Sequence, residues 1–496
     1  MLFNSFHFLI FFPIILIVYF VIPKKMRYIW LLAASYFFYM CWNAKYALLL
    51  LGSTIVTYGA ARLIYYWKGK ELLRKSMVVI SLVLNFGILF LFKYLDFVID
   101  TLEKVFGKIG ISVQVPVLDL LLPVGISFYI FQAVGYTIDV YREKLEPEKN
   151  LLEYALFVSF FPQLVAGPIE RSTNLLPQLQ KVHEIKVWDT KRIQRGALVM
   201  LYGYILKMII ADRAAIYVDT IFDPMMYTYY QGFQVALAAV LFSVQIYCDF
   251  AGYTYIAMGA AQIMGFDLMD NFRMPYLARS IKDFWDRWHV SLSSWFKDYL
   301  YFPLGGSRKG RIRKYINIFI VFAVSGLWHG ASWHYVAWGV LHGILRITGE
   351  LTQRVRDKLY ARLQFKRDTL ATEIWQVVCT FTMVTIAWIF FRGESVSQAV
   401  DLVKSIFCEF NPWVLTDGSL YTLGLDAKEW NVLFFSILFL MAVDVFRYKK
   451  VDLVELFMKQ NLWFRWILFY VGIFAVVLFG VYGAQYDAAK FIYFQF

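Results

Sequence analysis

Long apolar runs separated by short polar clusters pattern this chain from end to end. Runs of about twenty apolar residues match the length at which an α-helix crosses a bilayer, so the pattern predicts an all-α, polytopic membrane protein. A transmembrane barrel would show short segments of alternating polarity, and these runs are continuous. Spans are predicted over residues 6–22, 28–42, 46–66, 77–97, 196–210, 232–264, 373–391, 432–446 and 463–482. With the irregular stretches between them the reading reaches about eleven transmembrane helices plus re-entrant or interfacial pieces, in one membrane domain over residues 1–496.

Two stretches break the regular pattern. Residues 119–139 contain Pro123, Gly125 and Gly135 inside apolar sequence, which predicts a broken or kinked helix. The apolar piece at residues 156–165 is too short to span and reads as re-entrant or interfacial. Irregular backbone at membrane depth is tolerated where protein covers it or it lines a wet cavity, so these segments argue for a cavity. Residues 232–264 suit either one tilted helix or a helix broken at Asp249 to Gly252. Asp249 then lies within the membrane, as a structural ion-pair partner or a site wall.

Composition sharpens the class. The chain is 60% hydrophobic and 20% aromatic, far from a soluble enzyme. Its formal charge of +13 sits in short clusters between apolar runs. That is the positive-inside pattern; a nucleic-acid surface wants a contiguous basic face, so no nucleic-acid partner is expected. The clusters after residues 22 and 66 each place their loop in the cytoplasm, which puts both termini outside. The first apolar run lacks a basic leader and a cleavage site and reads as a retained span. Four cysteines show no paired spacing, so neither a disulfide framework nor a zinc site is suggested.

Candidate chemistry gathers at residues 321–343, where three of the six histidines, His329, His334 and His342, lie in apolar sequence rich in Trp and Gly. An ionisable side chain at membrane depth defaults to a functional hypothesis. Basic sequence flanks this stretch on both sides, so it must enter and return to one side, with a turn near Ala331 to Trp333 and two short arms. Gly326, Gly330, Gly339 and Gly343 would let a helix or a substrate come close. A neutral imidazole at His329 can take the proton of a hydroxyl that attacks an activated acyl group. The bland reading of His329 is a buried ring bonded to a backbone carbonyl. Ser325, one turn earlier, would complete a weak serine–histidine arrangement. No acidic or cysteine companion and no zinc-type spacing occurs here, so no metal is expected. His334 need not share the site, and His342 reads as a packing residue. Upstream, residues 279–314 mix Trp and Tyr with charges, the signature of a membrane–water boundary. Trp288 and His289 lie there, and His289 reads either as an interfacial residue or as the lining of an access channel.

Three motifs carry a resemblance: FFPQLVAGPIER at residues 160–171, DFWDRWHVSLSSWFKDYLYFPLGGSRKG at 283–310, and SGLWHGASWHYVAWGVLHG at 325–343, with FIYFQF closing the chain. They resemble the membrane-bound O-acyltransferase family, in the bacterial branch of alginate and peptidoglycan O-acetylation. The resemblance implies a helical funnel with a thin floor in the bacterial cytoplasmic membrane. It implies acetyl-CoA as the cytoplasmic donor, no resident cofactor, and a cell-surface polysaccharide as the acceptor. A secreted SGNH-hydrolase-like partner would complete transfer. His329 is implied as the catalytic base and His289 as the second signature position. Trp328, Ser325, Trp288, Asp249 and Arg171 are the candidate substrate contacts. D-alanyl transfer to teichoic acid from a carrier-protein thioester is the alternative within the family. A proton-coupled transporter or flippase is the alternative outside it; that class predicts internal repeats, and none is visible.

Overall fold

The computed structural model describes residues 1–111, 121–165, 167–364, 366, 369–482 and 492. All regular structure among them is helical. Among the described residues six helices are long and apolar enough to cross a membrane: Ala44–Tyr66, Glu71–Lys108, Phe233–Met264, Leu370–Arg392, Ala427–Tyr448 and Leu462–Phe479. The count is smaller than the crossings read from sequence because several expected spans are short or carry charge. Phe6–Val21 has 16 residues and Arg27–Met40 has 14.

Two compact units divide the chain. The first comprises Met1–Met200 with Ile256–Met269. Its interior is aromatic: the Phe161 ring lies 5.5 Å from Phe11 and 5.6 Å from Phe38, centroid to centroid. The irregular stretch read from Pro123 and Gly125 ends at Gly125, whose φ of 75° lies in the left-handed region, and Ile126–Tyr141 then runs unbroken through Gly135. A Cβ at Gly125 would meet the Leu164 carbonyl oxygen at 2.6 Å, so glycine is required there on two counts. That carbonyl belongs to the short helix Phe161–Leu164, with Pro162 in its first turn. The preceding helix, Leu151–Ser159, has nine residues and is buried along most of its length. Gln163 Nε2 donates to Gln132 Oε1 at 2.9 Å, and Gln132 Nε2 donates to the Phe157 carbonyl at 2.6 Å. The two buried amide N–H groups are thus matched to carbonyl acceptors, as low-dielectric surroundings demand.

The second unit comprises Leu201–Tyr255 and Asp270–Phe496. The helix from Phe233 to Met264 is unbroken over 32 residues, so Asp249 sits in regular helix and no break occurs at Gly252. Arg311–His329 and Trp333–Leu351 form the expected hairpin, but each arm has 19 residues, longer than the sequence reading allowed. The charged ends around Arg311 to Lys314 and Arg346 to Glu350 continue the helices beyond their apolar cores. Each arm is therefore about 28 Å long. The stretch after Arg392 holds the helix Val396–Cys408, capped by the Ser395 side chain.

Candidate active site

The tryptophan–histidine motif folds as two short helices, Ile281–Arg287 and Val290–Phe296. Ser280 Oγ accepts from the Asp283 N–H at 3.1 Å and starts the first. The chain then breaks at His289, whose φ of 44° is left-handed and strained for a residue with a Cβ. Asn271 holds the break: its carbonyl accepts from the Val290 N–H at 3.0 Å, and its Oδ1 accepts from Ser291 Oγ at 2.6 Å. The result turns His289 inward, with 0% exposure. The interfacial reading of His289 is thereby corrected.

The hairpin brings the second motif. Its arms meet backbone to backbone: a Cβ on Gly326 would lie 2.3 Å from the Tyr335 carbonyl oxygen, and one on Gly339 would lie 2.3 Å from that of Phe322. The glycines thus admit a helix. The first arm ends on His329, Gly330 is extended, and the extended Ser332 leads into the second arm. His329 is 2% exposed at the head of the turn.

These elements put the two signature histidines together. The His289 and His329 rings lie 6.4 Å apart, centroid to centroid. Trp328 packs 5.0 Å from His329 and 6.1 Å from His289. The Trp338 ring lies perpendicular to that of His329 at 5.0 Å, and the Phe391 ring lies steeply inclined to it at 5.4 Å, centroid to centroid. Phe250 lies 4.7 Å from His289. One hydroxyl group can bridge two imidazoles at such a separation, since each hydrogen bond spans about 2.8 Å. Ser325 is buried one turn before His329 on the same helix. Trp288 is buried behind the break, 5.0 Å from both Phe272 and Trp388. His342 is buried and accepts from Trp285 Nε1 through Nδ1 at 3.3 Å, so its neutral form carries the proton on Nε2. His334 lies past the turn, with Nδ1 3.2 Å from the Phe390 carbonyl oxygen.

Asp249 belongs to a different cluster. Lys207 Nζ lies 2.6 Å from Asp249 Oδ1 and 2.8 Å from Asp212 Oδ1, with all three side chains below 10% exposure. Gly252 makes the approach possible: a Cβ there would sit 2.8 Å from the Gly203 carbonyl oxygen and 3.0 Å from the Lys207 nitrogen. The Ile492 N–H donates to Asp249 Oδ2 at 2.9 Å. Asp212 is drawn into this cluster, whereas its neighbour Arg213, also buried, donates to the Ile209 and Phe479 carbonyls at 3.3 and 2.8 Å. Arg171 lies in the first unit, half-buried, ahead of helix Ser172–Gln180. The other six candidate residues lie in the second unit. Among the described residues no group of three or more His, Cys, Asp or Glu side chains is placed to hold a metal ion.

Sequence reasoning missed Lys207, Asn271 and Phe391. Lys207 had a signal, a single cation in the apolar run before Ala211. Asn271 and Phe391 look like ordinary residues of a loop and a span.

Two buried histidines in broken-helix and hairpin settings, within a multi-pass helical membrane protein, define a class that comparison makes explicit. Residues 142–393 match the membrane-bound O-acyltransferase family, and the chain belongs to it. It is a multi-pass membrane O-acyltransferase. It is 33% identical over 454 residues to the probable alginate O-acetylase AlgI of Pseudomonas syringae pv. tomato, covering 91% of this chain and 84% of that one. It is 32% identical over 402 residues to the peptidoglycan O-acetyltransferase of Helicobacter pylori, covering 76% and 73%. It is 30% identical over 290 residues to the teichoic acid D-alanyltransferase of Bacillus subtilis, covering 54% and 68%. The closing FIYFQF lies outside the described residues apart from Ile492.

Proposed function

We propose that this enzyme passes an acetyl group from cytoplasmic acetyl-CoA across the membrane for O-acetylation of a cell-surface polysaccharide, with His329 as the general base. The observation that carries the reading is the buried pairing of His289 and His329, 6.4 Å apart, from two motifs forty residues apart in sequence. Similarity over 91% of the chain to an alginate O-acetylase, against 54% to a D-alanyltransferase, supports acetyl as the acyl group.

In this reading an acceptor hydroxyl approaches His329, which takes its proton as the oxygen attacks the thioester carbonyl. The C–O bond forms, the C–S bond breaks, and the proton passes from His329 to the departing thiolate. His289 orients the hydroxyl from the other side. The aromatic walls exclude water that would hydrolyse the thioester. Basic loops face the donor side and both termini lie on the acceptor side. A secreted SGNH-hydrolase-like protein receives the group and completes transfer.

The test is transfer from labelled acetyl-CoA in membranes containing the protein and a candidate partner, for wild type and His329→Ala at matched insertion. Loss of about 10³-fold in the variant is expected for removal of a general base. Equal transfer by both would move the chemistry to another residue. Transfer only from a carrier-protein thioester would favour the D-alanyl reading.

A further inference from the structure

A second polar feature lies away from the histidines. The hairpin's second arm, the helix Gln353–Arg362 and the first turns of Leu370–Arg392 enclose a cavity of about 890 Å³. Five cations line it, Arg279, Lys282, Lys314, Arg346 and Arg356, against two carboxylates, Glu350 and Asp357. Lys314 and Arg346 both engage Glu350, the latter at 3.4 Å, and Arg279 pairs with Glu373 at 2.8 Å. Arg356 differs. It donates to Thr352 Oγ1 and to the Gly349 carbonyl, each at 2.8 Å, and both acceptors are neutral. Among the described residues no carboxylate pairs with Arg356 or Lys282. The cavity thus holds positive charge that its own acids leave uncancelled.

The opposite wall is mixed: Trp375, Cys379 and Met383 line it at four-residue spacing, one apolar stripe along a membrane-spanning helix, with Gln376 and Thr380 beside it. The helix Gln353–Arg362 fixes the level of the mouth. None of its residues is buried, and Leu351, Val355, Leu359 and Leu363 form a bare apolar stripe, 57%, 67%, 52% and 61% exposed. Arg354, Lys358 and Arg362 flank the stripe. An exposed apolar edge with basic flanks suits a helix to the headgroup boundary of a membrane. The helix's other face, with Arg356, lines the cavity.

We propose that this cavity binds an anionic phospholipid from the leaflet in which helix Gln353–Arg362 lies. The phosphate sits between Arg356 and Lys282, and one acyl chain runs along Trp375, Cys379 and Met383. A free phosphate or a soluble phosphorylated donor would satisfy the cations but leave the apolar stripe and the in-plane mouth without a purpose. The bound lipid wedges the hairpin's second arm against the helix that carries Trp388 and Phe391.

The full chain in phosphatidylcholine nanodiscs, doped with acyl-brominated phosphatidylglycerol, tests this. Quenching of Trp375 is read as the difference between wild type and Trp375→Phe. Saturable quenching is expected in the wild type. Each surface cation is worth about five-fold in affinity for an anionic lipid, so Lys282→Gln with Arg356→Gln raises half-saturation about 30-fold. Arg356→Lys keeps it within about two-fold, because the charge remains. If the double variant fails to reconstitute, each single variant still reports, at about five-fold. Non-saturable quenching, equal in wild type and variants, means bulk-lipid collision and overturns the proposal. Displacement of the brominated lipid by coenzyme A or inorganic phosphate assigns the cavity to a soluble anion and also overturns it.

Discussion

Lys207 and His329 are both ionisable, both sealed from solvent, and stabilised by different means. Lys207 is met by formal charge, with Asp249 and Asp212 within 2.8 Å. His329 is met by the uncharged rings of Trp328, Trp338 and Phe391. An ion cluster in low dielectric fixes the charge of each member, since neutralising one strands another. Aromatic faces accept a neutral imidazole and also attract a cationic one. The first arrangement suits a strut, and the second suits a group whose protonation must change during a reaction.

The contrast can be broken most sharply at Lys207. Lys207→Met leaves two buried carboxylates without their cation, and a loss of about 3–5 kcal/mol is expected, read as a large fall in thermal stability in nanodiscs. Adding Asp249→Leu should recover part of it; a double variant no more stable than the single would show that charge balance is not what matters there. At the hairpin the determinant is shape. Gly326→Ala forces a methyl group into the Tyr335 carbonyl, and about 1–3 kcal/mol of destabilisation is expected from such overpacking, measured in the same melts. Trp285→Phe removes the donor to His342 Nδ1, with an expected loss of about 1 kcal/mol. Gly343→Ala meets the Phe322 Cβ at 3.3 Å, a contact that neighbours absorb by small shifts, so less than about 1 kcal/mol is expected. A stability loss at Gly343 as large as that at Gly326 would mean the two arms cannot slide at all.

The same contrast explains what the sequence could and could not disclose. The hairpin was legible because glycine, tryptophan and histidine are conspicuous in apolar sequence, and basic runs on both sides force a return. The helical class was legible for the same reason of length and polarity. The pairing of His289 with His329 was not, because it depends on a left-handed backbone at a residue with no glycine to announce it. Asn271 sets that break from outside the motif, through hydrogen bonds that no periodicity reports. Asp249 was conspicuous in apolar sequence, but the sequence left open a break at Asp249 to Gly252 where the structure has unbroken helix. Its partner could not be named, because Lys207 lies 42 positions away and reaches it only across two packed helices. Arg171 shares a motif with neighbours that pack the first unit, and sequence proximity to a signature says nothing about which unit holds it.

The three-residue turn between His329 and Trp333 has a consequence for biogenesis. Contacts between the hairpin's arms are close in sequence, so little chain entropy opposes their formation. The arms are able to zip as soon as both have left the ribosome, before Trp388 and Phe391 have emerged. The interior of the site is then built in the order of synthesis, with the histidine-bearing hairpin as the template on which the later helix closes.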